Sequence, residues 1–404
     1  MNRPLEGLKV IELANYVAAP TVGRMCADMG ATVIKIEGRG GDAWRTTAAG
    51  LTKTGEDENP VFDSSNAGKK SISLNLKAPE GKEIFFKLLE DADILITNTR
   101  HQSLVKLGVD YNSIKDRFPR LIYATLTGYG YEGPDCDAPG FDNIAFWSRP
   151  GFLADMMIDS EGSYPVNSRA AMGDIASGSL LFGSVMTALY QREKTGKGDL
   201  VTMSLFNAGI WIMGGCIIMA GKPYGHSFPE KRIAGGNPMN LAYKCSDGDW
   251  VRCTIFEYER YADKFFNALG VKAKLDTLGV CDMKSLIANC NSAVPMFEEA
   301  YSVKPSAEWL AIFKELDIVC GKLNHFADVF EDPQALANNY VQSYTCANGA
   351  QRMLTTSPVR MESQGYFVAG EPIKYCGEHN GEVLAELGYD EAKLAELKAA
   401  GVLY

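Results

Sequence analysis

The stretch LKVIELANYVAAPTVGRMCADMGATVIKI, residues 8–36, decides the fold. Residues 8–13 and 31–36 are short runs rich in apolar and β-branched side chains, the pattern of buried strands. Between them, Pro20 can open a helix that extends through Met25 and Met29. This stretch therefore predicts a strand, a helix and a second strand that form one βαβ unit.

The same alternation continues beyond this unit. Strand-like runs occupy residues 71–76, 94–97 and 121–126, and a helical pattern covers 80–89. Alternating strands and helices predict an α/β fold with a doubly wound, mostly parallel sheet. A Gly-, Pro- and Ser-rich connection at 221–238 precedes a predicted hairpin at 241–254, helical segments at 257–316 and short helices at 382–398.

Length and charge restrict the class of protein. With 404 residues, 46% hydrophobic and 22% charged, the chain has enough sequence for more than one globular domain. Its net charge of -10 argues against nucleic acid as the main partner. Residues 1–6 lack the apolar segment of a secretory signal, and the apolar run 208–220 is too short to span a bilayer. We expect a cytoplasmic protein with no membrane partner, in which residues 208–220 form a buried helix.

Cofactor motifs are not visible in the sequence. The ten cysteines form no C-x-x-C pair and no Cys/His cluster, so we expect no metal site. A dinucleotide fold carries G-x-G-x-x-G after its first strand, whereas this chain has residues 14–20 without glycine. Glu37 ends the second strand where such a fold would bind a ribose, but without the glycines it is weak evidence for a nicotinamide cofactor. We expect no permanently bound cofactor.

One carboxylate is a candidate for chemistry. Asp174 lies within AMGDIASG, residues 171–178, where a long apolar helical pattern begins. Small neighbours would let an acyl group approach, and a helix N-terminus would keep the carboxylate anionic, as a nucleophile requires. The alternative is that Asp174 is only the N-cap of this helix.

Several separated segments, in order along the chain, resemble the class III CoA-transferases, also called the CaiB/BaiF family. They lie at residues 4–13, 30–37, 69–77, 128–134, 173–174, 195–198 and 377–384. Segments 98–100 and 139–142 are similar to the clostridial branch that acts on 2-hydroxyisocaproate or phenyllactate.

The resemblance implies an architecture and a reaction. Residues 1–221 and 330–404 are expected to form a large Rossmann-like domain, and residues 222–329 a smaller α+β domain, in an interlocked ring homodimer. Asp174 would form a mixed anhydride and then an aspartyl-CoA thioester, moving CoA from an acyl- or enoyl-CoA to a free (R)-2-hydroxy acid. The partners implied are therefore CoA esters and small carboxylic acids, both as substrates.

The resemblance also assigns individual residues. Asp142 is a second acidic residue at the catalytic site, although it can instead be a turn residue after Pro139-Gly140. Phe141 would border the acyl site, and Gly235-Gly236 would be a mobile glycine loop or a plain flexible turn. The implied CoA contacts are Val17, Ala18, Arg39, Leu74, Lys77, Asn98, Thr99 and Lys106. Many relatives have glutamine at the position of Val17 and a basic residue at that of Gly38, and the alternative for Arg39, Lys77 and Lys106 is a solvated surface charge.

Two other functions compete with CoA transfer. An acyl-CoA racemase of the same superfamily uses a histidine in a Gly-His-Asp motif, where this chain has Phe141. The four histidines His101, His226, His325 and His379 lie in other segments, which favours transfer. A non-catalytic CoA-ester binding protein is the other alternative, and the presence of Asp174 argues against it.

Overall fold

The protein is described here by a computed structural model that covers residues 3–157, 164–166, 168–169, 171–233 and 236–404. Six strands form the main sheet: β1 (Lys9–Leu13), β2 (Thr32–Glu37), β3 (Lys70–Ser73), β4 (Ile94–Thr97), β5 (Ile122–Thr127) and β6 (Leu200–Ser204). All neighbouring pairs are parallel, in the order β3-β2-β1-β4-β5-β6. This is the strand order of a Rossmann sheet, and the predicted parallel α/β fold is confirmed.

Helices connect and cover the strands. The α-helices are α1 (Ala18–Asp28), α2 (Ala43–Thr52), α3 (Pro60–Asn66), α4 (Pro79–Leu89), α5 (His101–Leu107), α6 (Tyr111–Ile114), α7 (Phe152–Asp155), α8 (Met172–Thr195), α9 (Leu205–Ile212), α10 (Gly214–Ala220), α11 (Tyr258–Ala268), α12 (Lys272–Thr277), α13 (Met283–Ala288), α14 (Cys290–Tyr301), α15 (Ser306–Glu315), α16 (Pro333–Ala337), α17 (Asn380–Glu386) and α18 (Glu391–Ala399). A π-helix covers Asp142–Ser148, and single 3-10 turns cover Pro238–Asn240 and Phe326–Phe330.

Seven further strands form three small antiparallel sheets. They are β7 (Ala242–Lys244), β8 (Trp250–Cys253), β9 (Cys320–Lys322), β10 (Val341–Thr345), β11 (Gln351–Thr355), β12 (Arg360–Met361) and β13 (Gly365–Tyr366). Strands β7 and β8 form the hairpin that the sequence predicts, and β9 pairs with β8.

The chain divides into two compact units. The first contains residues 1–150, 168–217 and 330–404, and the second contains residues 151–167 and 218–329. In the second unit, helices α11 to α15 bury an aromatic cluster that includes Phe265, Phe297, Tyr301, Trp309 and Phe313. The two-domain division expected from the sequence has different boundaries and stays a prediction.

The C-terminal segment belongs to the first unit because its side chains bond to strand β3. His379 Nδ1 accepts the backbone N–H of Ser71 at 3.0 Å, and Asn380 Oδ1 accepts that of Ser73 at 2.8 Å. Since β3 is an edge strand, these side chains occupy donors that would otherwise face an open edge. The strand predicted over 71–76 ends at Ser73, after which Asn75 donates its N–H to Val402 O.

The expectation of one buried helix over residues 208–220 is wrong. The apolar run 208–220 does not form a single buried helix, because it is divided between α9 and α10 and most of its large side chains are exposed. Trp211 is 76% exposed and Ile218 64% exposed. Among the helices in the described ranges, α8 has the length and apolar composition of a membrane span, a test that core helices of soluble proteins also pass.

Candidate active site

A cavity of about 470 Å³ opens at the carboxyl ends of the parallel strands, within the first unit. Its walls come from loops after β1, β4 and β5 and from the starts of α8 and α9. The lining residues are Asn15, Tyr16, Ala18, Asn98, Thr99, Arg100, His101, Ser103, Leu126, Thr127, Gly128, Cys136, Asp137, Ala138, Pro139, Gly140, Phe141, Asp174 and Leu205.

The position of this cavity follows from the sheet topology. Strand order reverses between β1 and β4, so their following loops diverge and leave a crevice at the carboxyl edge. Asn15 and Asn98 tie the two loops together: Asn15 donates its backbone N–H to Asn98 Oδ1 at 3.0 Å, and Asn98 Nδ2 donates to Asn15 O at 2.7 Å. A ligand in an open α/β sheet binds at this kind of switch point.

Asp174 lies in the first turn of α8 and lines the cavity. The helix begins after Ala171, which has φ of 64° and makes no side-chain cap. The interpretation of Asp174 as the N-cap is therefore wrong, because the cap position is three residues earlier.

The capping group is instead Asp142, from the start of the π-helix. Its Oδ1 accepts the backbone N–H of Asp174 at 3.0 Å. A carboxylate that satisfies the first N–H groups of a helix is a strong cap. Asp142 is thus not a simple turn residue, since it ties the π-helix to the start of α8.

The two carboxylates influence each other. Burial and, to a smaller extent, the negative charge of Asp142 together raise the pKa of Asp174 to about 7. The sequence predicts that the helix N-terminus keeps Asp174 anionic, but burial and the charge of Asp142, which accepts the Asp174 N–H, act in the opposite direction. Burial also raises the pKa of Asp142, against the opposing effect of the hydrogen bonds that it accepts.

Gly173 is required by this packing. A Cβ at this position would collide with Asp142 Oδ1 and with the ring of Phe146. The sequence analysis expected the small residue beside Asp174 to make room for an acyl group. In the structure, Gly173 makes room for Asp142 and Phe146 instead. Two other glycines, Gly128 and Gly140, meet backbone to backbone in the cavity wall, where a Cβ on Gly140 would lie 2.7 Å from Gly128 Cα.

The structure brings some predicted site residues together and separates others. Ala18, Asn98, Thr99 and Phe141 line the same cavity as Asp174. Val17 and Leu74 are 3% and 2% exposed and pack in hydrophobic clusters, so their side chains do not line it.

The basic residues expected to contact CoA lie outside the cavity lining. Arg39, Lys77 and Lys106 are exposed, and the Arg39 guanidinium lies 6.0 Å from the centre of the Tyr404 ring. Arg39 follows β2 and Lys77 follows β3, so both share the carboxyl edge of the sheet with the cavity.

Gly236 belongs to the second unit, where its carbonyl accepts the thiol of Cys290 at 3.1 Å. Gly235 lies outside the described residues, and the glycine-loop interpretation stays a prediction. Among the histidines, His101 lines the cavity, with its ring 5.3 Å from that of Tyr131. Sequence reasoning had no signal that would place this histidine near Asp174.

Sequence reasoning also missed a buried ionic network of Glu12, Lys35, Asp42 and Lys69, whose side chains are fully buried. Lys35 Nζ lies 2.9 Å from both Glu12 Oε1 and Asp42 Oδ2, and Lys69 Nζ lies 2.7 Å from Glu12 Oε2. The signal was present as charged residues inside strands β1 and β2, which are otherwise apolar.

The carboxylate of Glu37, a possible ribose ligand by its position in the sequence, already accepts hydrogen bonds from other residues of this chain. It accepts two hydrogen bonds from Arg45, at 2.9 and 2.8 Å, one from the Asp42 N–H and one from the Ser71 hydroxyl. Burial opposes its ionisation, but Arg45, Lys35 and the Ser71 hydroxyl together outweigh burial and lower the pKa of Glu37 to about 2. Its role is structural. Within the described ranges, no group of three or more His, Cys, Asp or Glu side chains could hold a metal ion.

Known proteins resemble this chain over nearly its full length. The sequence model of CoA-transferase family III matches residues 5–380. The chain is 37% identical over 400 residues to (R)-2-hydroxy-4-methylpentanoate CoA-transferase of Clostridioides difficile, covering 99% of each chain. It is also 37% identical over 395 residues to cinnamoyl-CoA:phenyllactate CoA-transferase of Clostridium sporogenes, covering 97% of this chain and 95% of the relative.

A solved structure gives the same result for the fold. A CaiB/BaiF family protein from Brucella suis superposes with a TM-score of 0.81 at 27% identity, covering 96% of this chain and 100% of that chain. Since the family match spans nearly the whole sequence and two relatives share 37% identity, this chain belongs to CoA-transferase family III and is a CoA-transferase.

Proposed function

We propose that this enzyme moves CoA from an acyl- or enoyl-CoA to a free (R)-2-hydroxy acid, with Asp174 as the nucleophile. The observation that carries the proposal is the position of Asp174, whose carboxylate lines a cavity at the switch point of the sheet. The two relatives named above support the substrate class, because both are named for transfer to acids of this kind.

The proposed reaction proceeds through two covalent intermediates. An oxygen of Asp174 attacks the thioester carbonyl, and the carbon–sulfur bond breaks. CoA leaves as a thiolate, and the acyl group remains on Asp174 as a mixed anhydride. The thiolate then attacks the aspartyl carbonyl, which releases the first acid and leaves an aspartyl-CoA thioester. The carboxylate of the hydroxy acid repeats these steps in reverse and regenerates Asp174. Each intermediate retains an activated acyl group, so the sequence of steps consumes no ATP.

Asp142 supports these steps in two ways. By bonding the N–H of Asp174 it holds the first turn of α8 in place, so the nucleophile is positioned before substrate binds. Its charge also raises the pKa of Asp174, and a carboxylate with a higher pKa is a stronger nucleophile once it is ionised. We therefore assign Asp142 as a positioning residue rather than a group that reacts.

We place CoA along the carboxyl edge of the sheet. Asn98, Thr99 and Ala18 line the cavity beside Asp174, where the thioester end would bind. The exposed cations Arg39, Lys77 and Lys106 would face the phosphates of CoA. The backbones at Val17 and Leu74 would contact the rest of the CoA molecule.

We also propose a cytoplasmic homodimer in which the exposed apolar side chains of α9 and α10 are covered by the second subunit. Trp211 and Ile212 on α9 are 76% and 47% exposed, and Ile218 on α10 is 64% exposed. Large exposed apolar side chains that lie together in the sequence are typical of a protein interface. Gly235 and Gly236 remain candidates for a loop that closes over the intermediates.

The test is an exchange assay with the purified enzyme. It would be incubated with cinnamoyl-CoA and isotopically labelled (R)-phenyllactate or (R)-2-hydroxy-4-methylpentanoate, with and without EDTA, and the CoA esters identified by mass spectrometry. We expect a labelled hydroxyacyl-CoA in both conditions. Inversion at the α-carbon of a CoA ester without exchange would instead identify a racemase, for which His101 in the cavity is the candidate base, and binding without either product would identify a non-catalytic protein.

A further inference from the structure

The loop between β1 and α1 is held by side chains from three other elements. Lys35 Nζ donates to Ala14 O at 2.9 Å, and Asn98 bonds both the N–H and the carbonyl of Asn15. The next N–H, that of Tyr16, donates to Asp42 Oδ1 at 3.0 Å. Consecutive backbone groups of this loop are therefore bonded to groups outside it.

Tyr16 has a backbone conformation that aromatic residues rarely adopt. Its φ is 63°, in the left-handed region, where the Cβ of an L-residue crowds the following carbonyl oxygen. Such a conformation persists only where surrounding contacts determine it, and such positions occur often at functional sites. Here the Asp42 carboxylate supplies that contact, since it bonds both the Tyr16 N–H and, at 2.9 Å, the Trp44 N–H.

In this conformation the Tyr16 side chain lines the cavity and contacts Phe141. Tyr16 and Phe141 both line it, and their rings meet edge to face with centroids 5.4 Å apart and an interplanar angle of 86°. Phe141 is 56% exposed, so its other surfaces are open to a ligand. The pair forms an aromatic wall in the cavity that Asp174 also lines.

Asp42 does not itself line this cavity. It is 1% exposed, and its second oxygen lies 2.9 Å from Lys35 Nζ, which is also paired with Glu12. Asp42 Oδ2 is thus held by the Lys35 ammonium, and Asp42 Oδ1 accepts the N–H of Tyr16. Asp42 therefore connects the ion pair of Lys35 and Glu12 to Tyr16 in the wall of the cavity.

We infer that Tyr16 is a specificity-determining residue for the acid's apolar side chain and that Asp42 is the positioning residue that holds it against Phe141. The ligand chemistry that fits is a carboxylic acid with an aryl or branched alkyl group. This inference rests on the proposed function.

The experiment measures one ratio, that of kcat/KM for (R)-phenyllactate to kcat/KM for (R)-2-hydroxy-4-methylpentanoate, on the same enzyme preparation. Partial loss of folded protein cancels in such a ratio. Tyr16→Gly removes the ring and accepts the positive φ without strain. Asp42→Ala removes the hydrogen bond to Tyr16 while Lys35 keeps Glu12 as its partner.

We expect both variants to change the ratio in the same direction, by about tenfold, as the loss of one aromatic contact or one charged hydrogen bond predicts. The double variant should match Tyr16→Gly alone, because Asp42 acts through Tyr16. Asp42→Asn, which keeps an acceptor oxygen, should restore a ratio within about threefold of wild type.

The matched control is Asp28→Asn. Asp28 is equally buried and pairs with Arg24 at 2.7 Å, but it has no contact with the loop between β1 and α1. Its ratio should equal that of wild type. An unchanged ratio in Tyr16→Gly, or additive effects in the double variant, would overturn the inference while leaving the proposed function intact. Absence of exchange by the wild-type enzyme with every hydroxy acid would overturn both.

Discussion

Asp142 Oδ1 accepts the backbone N–H of Asp174 at 3.0 Å, so one carboxylate caps the helix that carries the other. The two residues are 32 positions apart in the chain. Burial, and after it the negative charge of Asp142, raise the pKa of Asp174 to about 7. Asp142 therefore fixes the start of the helix that carries Asp174 and, together with burial, makes the ionisation of Asp174 harder.

Replacement of Asp174 should abolish exchange without unfolding the protein. Asp174→Asn keeps the shape of the side chain but removes the nucleophilic oxygen, and we expect exchange to fall at least about a thousandfold. Circular dichroism should remain that of wild type. Exchange within tenfold of wild type would contradict the role of Asp174.

The same variant should change the pH dependence of stability. The folded-state pKa of Asp174, about 7, lies above that of an ordinary carboxyl. The stability that protonated Asp174 contributes is therefore present at low pH and is lost as pH rises through about 7. Asp174→Asn should unfold at a temperature at least about 2 °C higher than wild type at pH 8, and at a similar temperature at pH 4. Differential scanning calorimetry at the two pH values would measure this, and a Tm lower than wild type at pH 8 would contradict it.

The pH profile of the reaction should report the same carboxylate. Since the nucleophile must be ionised, kcat/KM for the CoA ester should fall as pH drops below about 7. Asp142→Asn removes the negative charge beside Asp174 but keeps an acceptor oxygen. The acidic limb of the profile, where kcat/KM falls, should therefore move to lower pH. A limb that moves to higher pH in Asp142→Asn would show that Asp142 does not raise the pKa of Asp174.

Gly173 and Gly183 form a matched pair on α8. A Cβ at Gly173 would collide with Asp142 and Phe146, whereas a Cβ at Gly183 meets no atom within 4 Å. We expect Gly173→Ala to lose about 1–3 kcal/mol of unfolding free energy and at least about tenfold in exchange. Gly183→Ala should gain up to about 1 kcal/mol, because alanine favours the helix, with unchanged exchange. Denaturant titration and the exchange assay measure both, and equal effects at the two sites would contradict the packing argument.

Phe141 should control the choice of acid more than the binding of CoA. Its ring is 56% exposed and lines the cavity with Asp174. Phe141→Ala should change the ratio of kcat/KM between aryl and alkyl hydroxy acids by about tenfold and the KM for the CoA ester by less than about threefold. Steady-state kinetics with both acids would test this, and a larger change for the CoA ester than for the acids would exclude Phe141 from the acyl site.

Much of the fold could be predicted from local patterns in the sequence. Strand β4 occupies the predicted residues 94–97, and helix α4 starts within one residue of its predicted start. These elements could be found because the alternation of apolar residues depends only on neighbours along the chain. The order β3-β2-β1-β4-β5-β6 is not among the predictions, because general rules for parallel sheets leave several strand orders open.

The candidate site is different, because most of its properties depend on which segments meet. The sequence by itself determined that Asp174 starts a helix and is the carboxylate to examine. Only the tertiary structure decided that Asp142 is the cap, that Gly173 makes room for it, and that Asp42 holds Tyr16 in the left-handed region. The physical reason is that desolvation, capping and steric contact arise between groups brought together by folding, and no period in the sequence records them.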